Sequence, residues 1–363
     1  MKALTFHGVR TIRCEQVPDP VVVDPGDAIV QVRLGAICGS DMHVYHGRES
    51  GLDPGTVMGH EFVGEVVATG RDVHRFRQGD AVFSPFTTSC GDCFYCRSDL
   101  TSRCERGQLY GWREGGTGLH GAQAEYVRVP LADGTLVAVP EGVETDEALL
   151  LGDVLSTGYF CAVNAGIGPE GTYAVVGCGP VGLMAVASAL ELGAERLFAV
   201  DSVPERLRLA ARFGAQAIDF RAENPTEVLR EATDGRGADA VLEVVGSPEA
   251  GRSAYELVRP GGTISVVGVH NEDHFSFSPA QAYDKNLTYR VGRCPARAIA
   301  PRLVPMVRSG KYDLASVISH RLPLVGGVDG YSLFDEKRDG CTKVVLEPSG
   351  STPAGNSGHR GAG

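Results

Sequence analysis

Four of the ten cysteines lie within fifteen residues, at Cys90, Cys93, Cys96 and Cys104. Four thiolates complete the tetrahedral coordination of zinc and leave no open position for a substrate. No secretory signal is recognisable at the start of the sequence, and dense cysteines in that setting indicate metal ligation rather than disulfides. The alternative is a group of free or redox-active thiols. The spacing predicts a structural zinc lobe at residues 90–104.

A second set of potential ligands is spread along the chain. Cys38 lies in GAICGSDMH (35–43), His60 in VMGHEFVGEV (57–66) and Asp153 in GDVLSTGY (152–159). A catalytic zinc takes three protein ligands and keeps one position open. Cys38 and His60 supply two, and Asp153 is the best candidate for the third. Taken singly, Cys38 could be a small buried side chain, His60 a hydrogen-bonded core residue and Asp153 a helix N-cap.

A glycine-rich turn indicates a dinucleotide site. Gly177, Gly179, Pro180, Val181 and Gly182 follow the apolar strand TYAVV (172–176) and lead into a helical pattern. Such glycines permit a tight turn and close approach of a pyrophosphate, and the helix N-terminus offers free N–H groups to the phosphates.

An acidic residue follows this turn at the expected distance. Asp201 directly follows the predicted strand RLFAV (196–200), 24 residues after Gly177. A carboxylate there can accept both ribose hydroxyls and would repel the extra phosphate of NADP, so NAD is favoured. Arg206 is expected to lie against the adenine end. Asp201 alone could also be a solvated turn residue.

The chain shows two different patterns of predicted secondary structure, which must position these groups. Residues 1–153 carry short β-branched runs between turn signals, which predicts an irregular all-β body. Residues 154–291 alternate apolar strands, including DAVLEVV (239–245) and TISVVGV (263–269), with helical patterns typical of a parallel sheet. Ser202 and Glu205 form a possible capping box for the second of these helices. Residues 292–348 return to the β texture, and 349–363 are small and polar, which predicts disorder.

Composition limits the possible partners. A chain of 363 residues predicts about two domains. The net charge of −11, without a Lys/Arg-rich run, argues against a nucleic-acid partner. The longest apolar stretch, 173–190, is broken by glycines and is too short for an uninterrupted membrane span. We therefore expect a cytoplasmic protein with neither a nucleic-acid nor a membrane partner.

Together these motifs resemble the zinc-containing medium-chain alcohol dehydrogenases over nearly all of residues 1–348, most closely the bacterial broad-range members with an Asp as third zinc ligand. The three ligand motifs, the four-cysteine lobe, VVGCGPVGL (175–183) and the Asp201 strand end occur in the family's order. The resemblance implies an α/β architecture. A GroES-like β-rich catalytic domain (1–153 and 292–348) would be interrupted by a Rossmann domain with a doubly wound parallel sheet (154–291).

The resemblance also implies residue roles around the catalytic zinc. Cys38, His60 and Asp153 match the ligands, although many members carry Cys at the third position. Asp41 would orient His60, as carboxylates next to metal-bound histidines do.

Four further roles come from the same resemblance. Ser40 and His43 match the family's proton relay, which runs through the nicotinamide ribose. Glu61 would support the site or act as a transient fourth ligand. Lys343 would balance Glu61, and we also count it among the cofactor-binding residues.

The expected function is zinc-dependent, NAD-linked oxidation of primary or secondary alcohols to aldehydes or ketones, and the reverse reduction. Two zinc ions per subunit and a homo-oligomer, either a tetramer or a dimer, are expected. One alternative is a polyol, threonine or formaldehyde dehydrogenase of the same family. Another is a non-catalytic zinc-stabilised nucleotide-binding protein, but that would lack a ligand or relay residue, and none is missing. Plausible pocket walls, or ordinary packing residues, are Phe86, Tyr110, Trp112 and Leu119.

Overall fold

The computed structural model describes residues 1–348, and the tail at 349–363, predicted to be disordered, lies outside the described residues. The strands are β1 Lys2–Gly8, β2 Thr11–Gln16, β3 Ala28–Ile37, β4 Thr56–Val57, β5 Phe62–Thr69, β6 Ala81–Ser84, β7 Trp112–Glu114, β8 Thr117–Leu119, β9 Tyr126–Val129, β10 Val137–Ala138, β11 Thr172–Val176, β12 Arg196–Asp201, β13 Gln216–Asp219, β14 Ala238–Glu243, β15 Val258–Val266, β16 Thr288–Val291, β17 Ile318–Pro323 and β18 Lys343–Glu347. The helices are α1 Asp41–Tyr45, α2 Phe94–Arg97, α3 Ala132–Thr135, α4 Thr145–Gly152, α5 Val154–Ala165, α6 Pro180–Glu191, α7 Pro204–Phe213, α8 Pro225–Ala232, α9 Pro248–Leu257, α10 Pro279–Asp284, α11 Ala296–Arg308 and α12 Gly327–Glu336.

A parallel sheet forms the middle of the chain. Its order is β13-β12-β11-β14-β15-β16, and every neighbouring pair is parallel. All five residues of β11 are buried, as expected for a strand covered on both faces. The strand order reverses between β11 and β14, and ligands bind at the carboxyl ends of strands at such a point. The predicted doubly wound sheet is confirmed.

A mixed sheet combines the two ends of the described chain. Its order is β10-β6-β5-β3-β18-β17, with β9 also paired to β3. Strand β18 runs antiparallel to β3, with Val344 opposite Ile37. This pairing brings Lys343 to the end of β3, where Cys38 follows. The predicted combination of a GroES-like β-rich part with a Rossmann sheet is confirmed.

Some local predictions differ from the structure. Helix α4 lies inside the region predicted to be all β, and a capping box between Glu144 and Glu147 starts it. The predicted capping box of Ser202 and Glu205 is wrong, because Pro204 occupies the first helical position of α7 and Val203 is the N-cap. The Ser202 N–H bonds to Asp201 instead.

Membrane-spanning potential can be judged for residues 1–348. No single helix there is long and apolar enough to cross a membrane. Helices α4 and α5 meet that criterion only when joined, by length and composition alone, and they are bent by 50° at their junction.

Candidate active site

Three chain segments bring the predicted catalytic ligands together. Cys38 follows β3 and His60 precedes β5, and these antiparallel neighbours pair Gly35 with Phe62. Asp153 lies at the bend between α4 and α5. Ligand atoms of Cys38, His60, Glu61 and Asp153 all lie within 4.8 Å of one another.

The spacing of these atoms fits a tetrahedral metal ion. Oδ2 of Asp153 lies 3.3 Å from Nε2 of His60 and 3.8 Å from Sγ of Cys38. Zinc bonds of about 2.0–2.3 Å at tetrahedral angles place N and O roughly 3.3 Å apart, and S and O roughly 3.5 Å apart. Burial, with the charges of Glu61 and Asp153, raises the pKa of the Cys38 thiol, so a thiolate there requires a neighbouring cation. The donor set therefore suits zinc.

Asp41 connects two of these ligands. Its Oδ1 lies 3.3 Å from Nδ1 of His60, and its Oδ2 accepts the Cys38 N–H at 3.0 Å. The same Oδ2 accepts Nε2–H of Gln123 at 3.1 Å, and Tyr331 donates to Gln123 at 2.8 Å. All five residues of this network are buried. Asp41 therefore fixes both the backbone at Cys38 and the imidazole orientation of His60.

Gly59 is the point where the chain makes room for this network. Its φ is +90°, and a Cβ there would lie 2.4 Å from Cγ of Gln123. Any side chain would displace Gln123 and with it the support of Asp41. The glycine before His60 is therefore a packing requirement of the site.

Asp153 occupies the N-cap position of α5, yet its side chain caps nothing. Its Oδ1 accepts a hydrogen bond from Oγ1 of Thr157 at 3.0 Å, while Oδ2 faces His60 and Cys38. Burial acts to raise the pKa of Asp153, but His60, the Lys343 charge and the Thr157 hydrogen bond together outweigh it, and the pKa is lowered. The carboxylate is thus directed into the ligand cluster rather than to the helix N–H groups.

Glu61 and Lys343 form a fully buried ion pair. Nζ of Lys343 lies 2.7 Å from Oε1 of Glu61, and both side chains are 0% exposed. Burial acts to lower the pKa of Lys343, but the charges of Glu61, Cys38 and Asp153 together outweigh it, and the pKa is raised. Oε2 of Glu61 is buried without a hydrogen-bond partner. The structure thus directs the Lys343 ammonium to Glu61 and leaves one Glu61 oxygen available at the ligand cluster.

The two predicted relay residues face different spaces. Oγ of Ser40 lies 3.3 Å from Nε2 of His60, beside the ligand cluster. His43 lines a cavity of about 240 Å³ that is also lined by Gly246 and Ser247, in the turn between β14 and α9. Nδ1 of His43 is buried without a partner. Burial lowers the pKa of His43, which keeps its imidazole neutral.

The four-cysteine lobe is assembled around α2. Ligand atoms of Cys90, Cys93, Cys96 and Cys104 lie within 4.8 Å of one another. Sγ of Cys90 and Sγ of Cys96 are 3.9 Å apart, close to the roughly 3.8 Å expected between two thiolates on one zinc ion. The N–H of Cys93 donates to Sγ of Cys90 at 3.3 Å.

The glycine turn and Asp201 meet at the carboxyl ends of β11 and β12. A Cβ on Gly182 would lie 1.9 Å from the carbonyl oxygen of Gly177, so only glycine fits there. Oδ2 of Asp201 accepts the Cys178 N–H at 2.7 Å. Arg206 lies against the turn, since a Cβ on Gly179 would be 3.8 Å from its Nη1. Nε of Arg206 is buried without a partner.

Comparison with known proteins decides the family. Residues 24–141 match the model of the alcohol dehydrogenase GroES-like domain, and residues 180–308 match that of the zinc-binding dehydrogenases. Zinc-type alcohol dehydrogenase B of Aspergillus flavus is 46% identical over 96% of this chain and 81% of its own length. The chain belongs to the zinc-containing alcohol dehydrogenases.

Two further relatives show the breadth of the family around this alcohol dehydrogenase. Alcohol dehydrogenase TADH from Thermus sp. ATN1 has a TM-score of 0.90 at 40% identity, covering 96% of this chain and 100% of its own. The glutathione-independent formaldehyde dehydrogenase of Bacillus subtilis is 30% identical over 96% of this chain and 97% of its own. This alcohol dehydrogenase is a zinc-dependent oxidoreductase of a family that uses nicotinamide cofactors.

Of the four plausible pocket walls, Phe86 lies beside the ligands of this dehydrogenase. Its ring stands edge-on to His60, with centroids 6.4 Å apart. Tyr110 is buried against Phe62 and donates no group to the site, while Leu119 belongs to the same core cluster. Trp112 packs against a different cluster near the N-terminal strands. Of these four side chains, Phe86 is the one that lies beside the ligand cluster.

A second group of residues, not predicted from the sequence, lies beside the cavity that His43 lines. Glu243, at the end of β14, is fully buried, and its Oε1 accepts the N–H groups of Val245 and Gly246, both at 2.8 Å. Its Oε2 lies 3.0 Å from Nε2 of His270. Asn271 then donates to the carbonyl oxygen of Arg48 across the cleft at 3.3 Å. The position of an acidic residue at a central strand end was the one available signal.

Proposed function

We propose that Cys38, His60 and Asp153 hold the catalytic zinc of this enzyme and that Cys90, Cys93, Cys96 and Cys104 hold a structural one. The supporting observation is the 3.3 Å approach of the Asp153 carboxylate to Nε2 of His60, while Nδ1 of His60 is held by Asp41. When bound, zinc supplies a Lewis acid that favours loss of the alcohol proton. Four thiolates in the other cluster leave no position for substrate.

The protein's own groups then move the proton. Ser40 lies beside His60, where it can accept the proton of an alcohol hydroxyl. His43, whose buried imidazole is kept neutral by a lowered pKa and which lines the neighbouring cavity, would be the next acceptor. Ser40 is the N-cap residue of helix α1 and His43 lies within that helix, so the short helix fixes their separation. NAD, when bound, supplies the hydride acceptor.

Primary and secondary alcohols are the proposed substrates, with a broad range. Ser40 has a smaller side chain than threonine, and Phe86 offers an apolar wall beside the ligands. The similarity to a formaldehyde dehydrogenase favours formaldehyde oxidation as the second candidate. Initial rates on ethanol, cyclohexanol, sorbitol, threonine and formaldehyde at equal concentration separate these possibilities. A kcat/KM highest for formaldehyde, sorbitol or threonine would overturn the proposed alcohol preference.

Substitution of Asp153 tests the ligand assignment. We expect Asp153→Asn to lose the catalytic zinc and most ethanol oxidation while keeping the four-cysteine zinc, because one negative ligand charge is removed. Asp153→Cys should retain both ions, since thiolate is a normal zinc ligand. Zinc stoichiometry by elemental analysis gives the result. Two zinc ions and near-normal turnover in Asp153→Asn would disprove the assignment.

NAD rather than NADP is the proposed cofactor. Asp201 accepts N–H groups from Cys178, Ser202 and Val203, and these bonds fix its carboxylate beside the glycine turn. A fixed negative charge there repels a 2′-phosphate. Asp201→Asn should raise the KM for NAD and improve the relative use of NADP, whereas Asp219→Asn, at the end of the next strand, should change neither. A wild-type preference for NADP would contradict this placement.

A homo-oligomer is proposed from the edge of the parallel sheet. In the described chain β16 is an edge strand, and Val291 on it is 61% exposed. Tyr283 and Phe275 nearby are also exposed, at 87% and 65%. Exposed edge strands and apolar patches favour pairing with a second chain. Light scattering should give a dimer or tetramer, and Val291→Lys should shift it toward monomer.

A cytoplasmic location is also proposed. All ten cysteines are free, and nine of them are either buried in the protein core or grouped in the two ligand clusters just described. Reduced thiols are maintained in the cytosol. Fractionation of cells that express the tagged enzyme tests the proposal.

A further inference from the structure

We propose that Thr157 is a positioning residue that restricts Asp153 to binding the catalytic metal through one oxygen and so keeps the substrate position open. The proposal rests on the ligand set proposed above. Its basis is that the two carboxylate oxygens of Asp153 have different partners. Oδ1 accepts the Thr157 hydroxyl at 3.0 Å, and only Oδ2 faces the other two ligands.

The helix fixes this hydrogen bond. Thr157 lies four residues after Asp153, on the same side of the first turn of α5, and its backbone N–H donates to the Asp153 carbonyl at 2.8 Å. A β-branched side chain has few χ1 rotamers in a helix, so the hydroxyl is held in place. Thr157 is itself buried, with 9% exposure, so water competes little for Oδ1.

The backbone conformation at the start of α5 keeps the Asp153 side chain from capping the helix, so its carboxylate is free to face the ligand cluster. An N-cap aspartate ordinarily bonds the N–H groups of the first helical turn. At Asp153 the backbone angles (φ −143°, ψ −78°) direct the side chain away from them, and no side-chain cap forms. Ser156 bonds the carbonyl of Leu151 at 2.7 Å and braces the bend between α4 and α5. The carboxylate thus has the Thr157 hydroxyl as its fixed partner.

A carboxylate ligand needs such a restraint more than a thiolate does. Carboxylates bind metal ions through one oxygen or through both, whereas a cysteine offers a single sulfur. If both oxygens of Asp153 bound, they would occupy the position that an alcohol requires. The Thr157 hydroxyl, by donating to Oδ1, disfavours binding through both oxygens. It also keeps Oδ2 oriented toward the metal position, as hydrogen-bond partners of metal ligands commonly do.

Two substitutions of Thr157, one without and one with a hydroxyl, test the inference. Thr157→Val removes the hydroxyl with little change of shape, whereas Thr157→Ser keeps the hydroxyl and removes only the methyl group. We expect Thr157→Val to lose the catalytic zinc to a chelator about 10–100-fold faster than wild type, and Thr157→Ser to resemble wild type. With cobalt in the catalytic site, Thr157→Val should show the weaker visible absorption of a five-coordinate ion. The four-cysteine zinc in each preparation is the internal control for folding.

A double substitution separates positioning from packing. In the Asp153→Cys background there is no second ligand oxygen to restrain, so adding Thr157→Val should leave zinc loss unchanged within about twofold. An equal effect of Thr157→Val in both backgrounds, or wild-type zinc loss and cobalt spectrum in Thr157→Val, would overturn the inference. A lower Tm with unaltered metal behaviour would also overturn it. If Asp153→Asn retained two zinc ions, the ligand set itself would fail, which is a distinguishable result.

Discussion

Nδ1 of His60 lies 3.3 Å from Oδ1 of Asp41, on the opposite side of the imidazole from the Asp153 carboxylate. The ring is therefore held between two carboxylates from different parts of the chain. Because Asp41 accepts from Nδ1, the Nε2 lone pair is left for a metal ion. This relationship makes Asp41 the residue through which the buried Gln123 and Tyr331 act on the site.

Replacing Asp41 should weaken the catalytic metal site. We expect Asp41→Asn to lower the affinity for the catalytic zinc by about 10–100-fold, because the amide can no longer accept from both His60 and the Cys38 N–H as an anion. Zinc retained after dialysis against a chelator is the measurement. Asp329→Asn, on the exposed surface of α12, is the matched control. Equal zinc retention in both variants would show that Asp41 does not support the ligands.

Loss of one lobe cysteine should affect stability more than chemistry. Cys104→Ser should reduce the zinc content from two ions to one and destabilise the fold on the order of 3 kcal/mol, lowering the Tm by roughly 10 °C. Cys14→Ser, in β2 and outside both clusters, should change neither value. Calorimetry with elemental analysis gives both quantities, and two zinc ions in a stable Cys104→Ser variant would contradict the structural role.

The pH profile should reveal His43. Since burial lowers the pKa of His43, the wild-type imidazole can accept a proton below pH 6.5 as well as above it. His43→Gln should reduce turnover by about 100-fold at pH 7, and less toward pH 10, where hydroxide can take the proton. His46→Gln, whose wild-type ring bonds Asp335 instead, serves as the control. Parallel profiles for the wild type and His43→Gln would exclude His43 from the relay.

His270 should make stability depend on pH. Its hydrogen bond to Glu243 raises the pKa of His270 above 6.5, against the effect of burial. A raised pKa in the folded state contributes stability that is complete below about pH 6.5 and is lost as the pH rises through the folded value. His270→Ala should therefore cost on the order of 1 kcal/mol at pH 6 and less at pH 9.

Thermal unfolding of His270→Ala at the two pH values measures this difference. The exposed His274, four residues further along the same loop, provides the control substitution His274→Ala. A larger loss of stability at pH 9 than at pH 6 would reverse the sign and refute the assignment of the Glu243 contact.

The sequence predicted the ligands better than their supports. Cys38 and His60 are in short motifs at adjacent strand ends, so local spacing was enough to indicate them. Gln123 reaches Asp41 from 82 residues away, and no local pattern around it signals that contact. Such pairings depend on the strand register of the folded sheet. A linear pattern does not encode that register.

The two wrong local predictions both concern capping-box patterns at helix starts. Glu144 and Glu147 form a capping box that would have revealed α4, but the surrounding turn residues favoured a β assignment. At Ser202 the same kind of pattern misled, because the following proline fixed the helix start one residue later. Thr157 was part of a recognised motif. Its role follows only from the observation that Asp153 does not cap its helix.

The buried Glu61–Lys343 pair has a consequence for how the enzyme acquires its metal. Three acidic groups, at Cys38, Glu61 and Asp153, lie together with His60 in a buried cluster, and the Lys343 ammonium contacts Glu61. Charge balance there requires either bound protons or a divalent cation. Zinc uptake must therefore expel protons, and acidification must favour zinc release. Metal loading of this dehydrogenase is thus an exchange of ions, whose equilibrium is set by cellular pH as well as by free zinc.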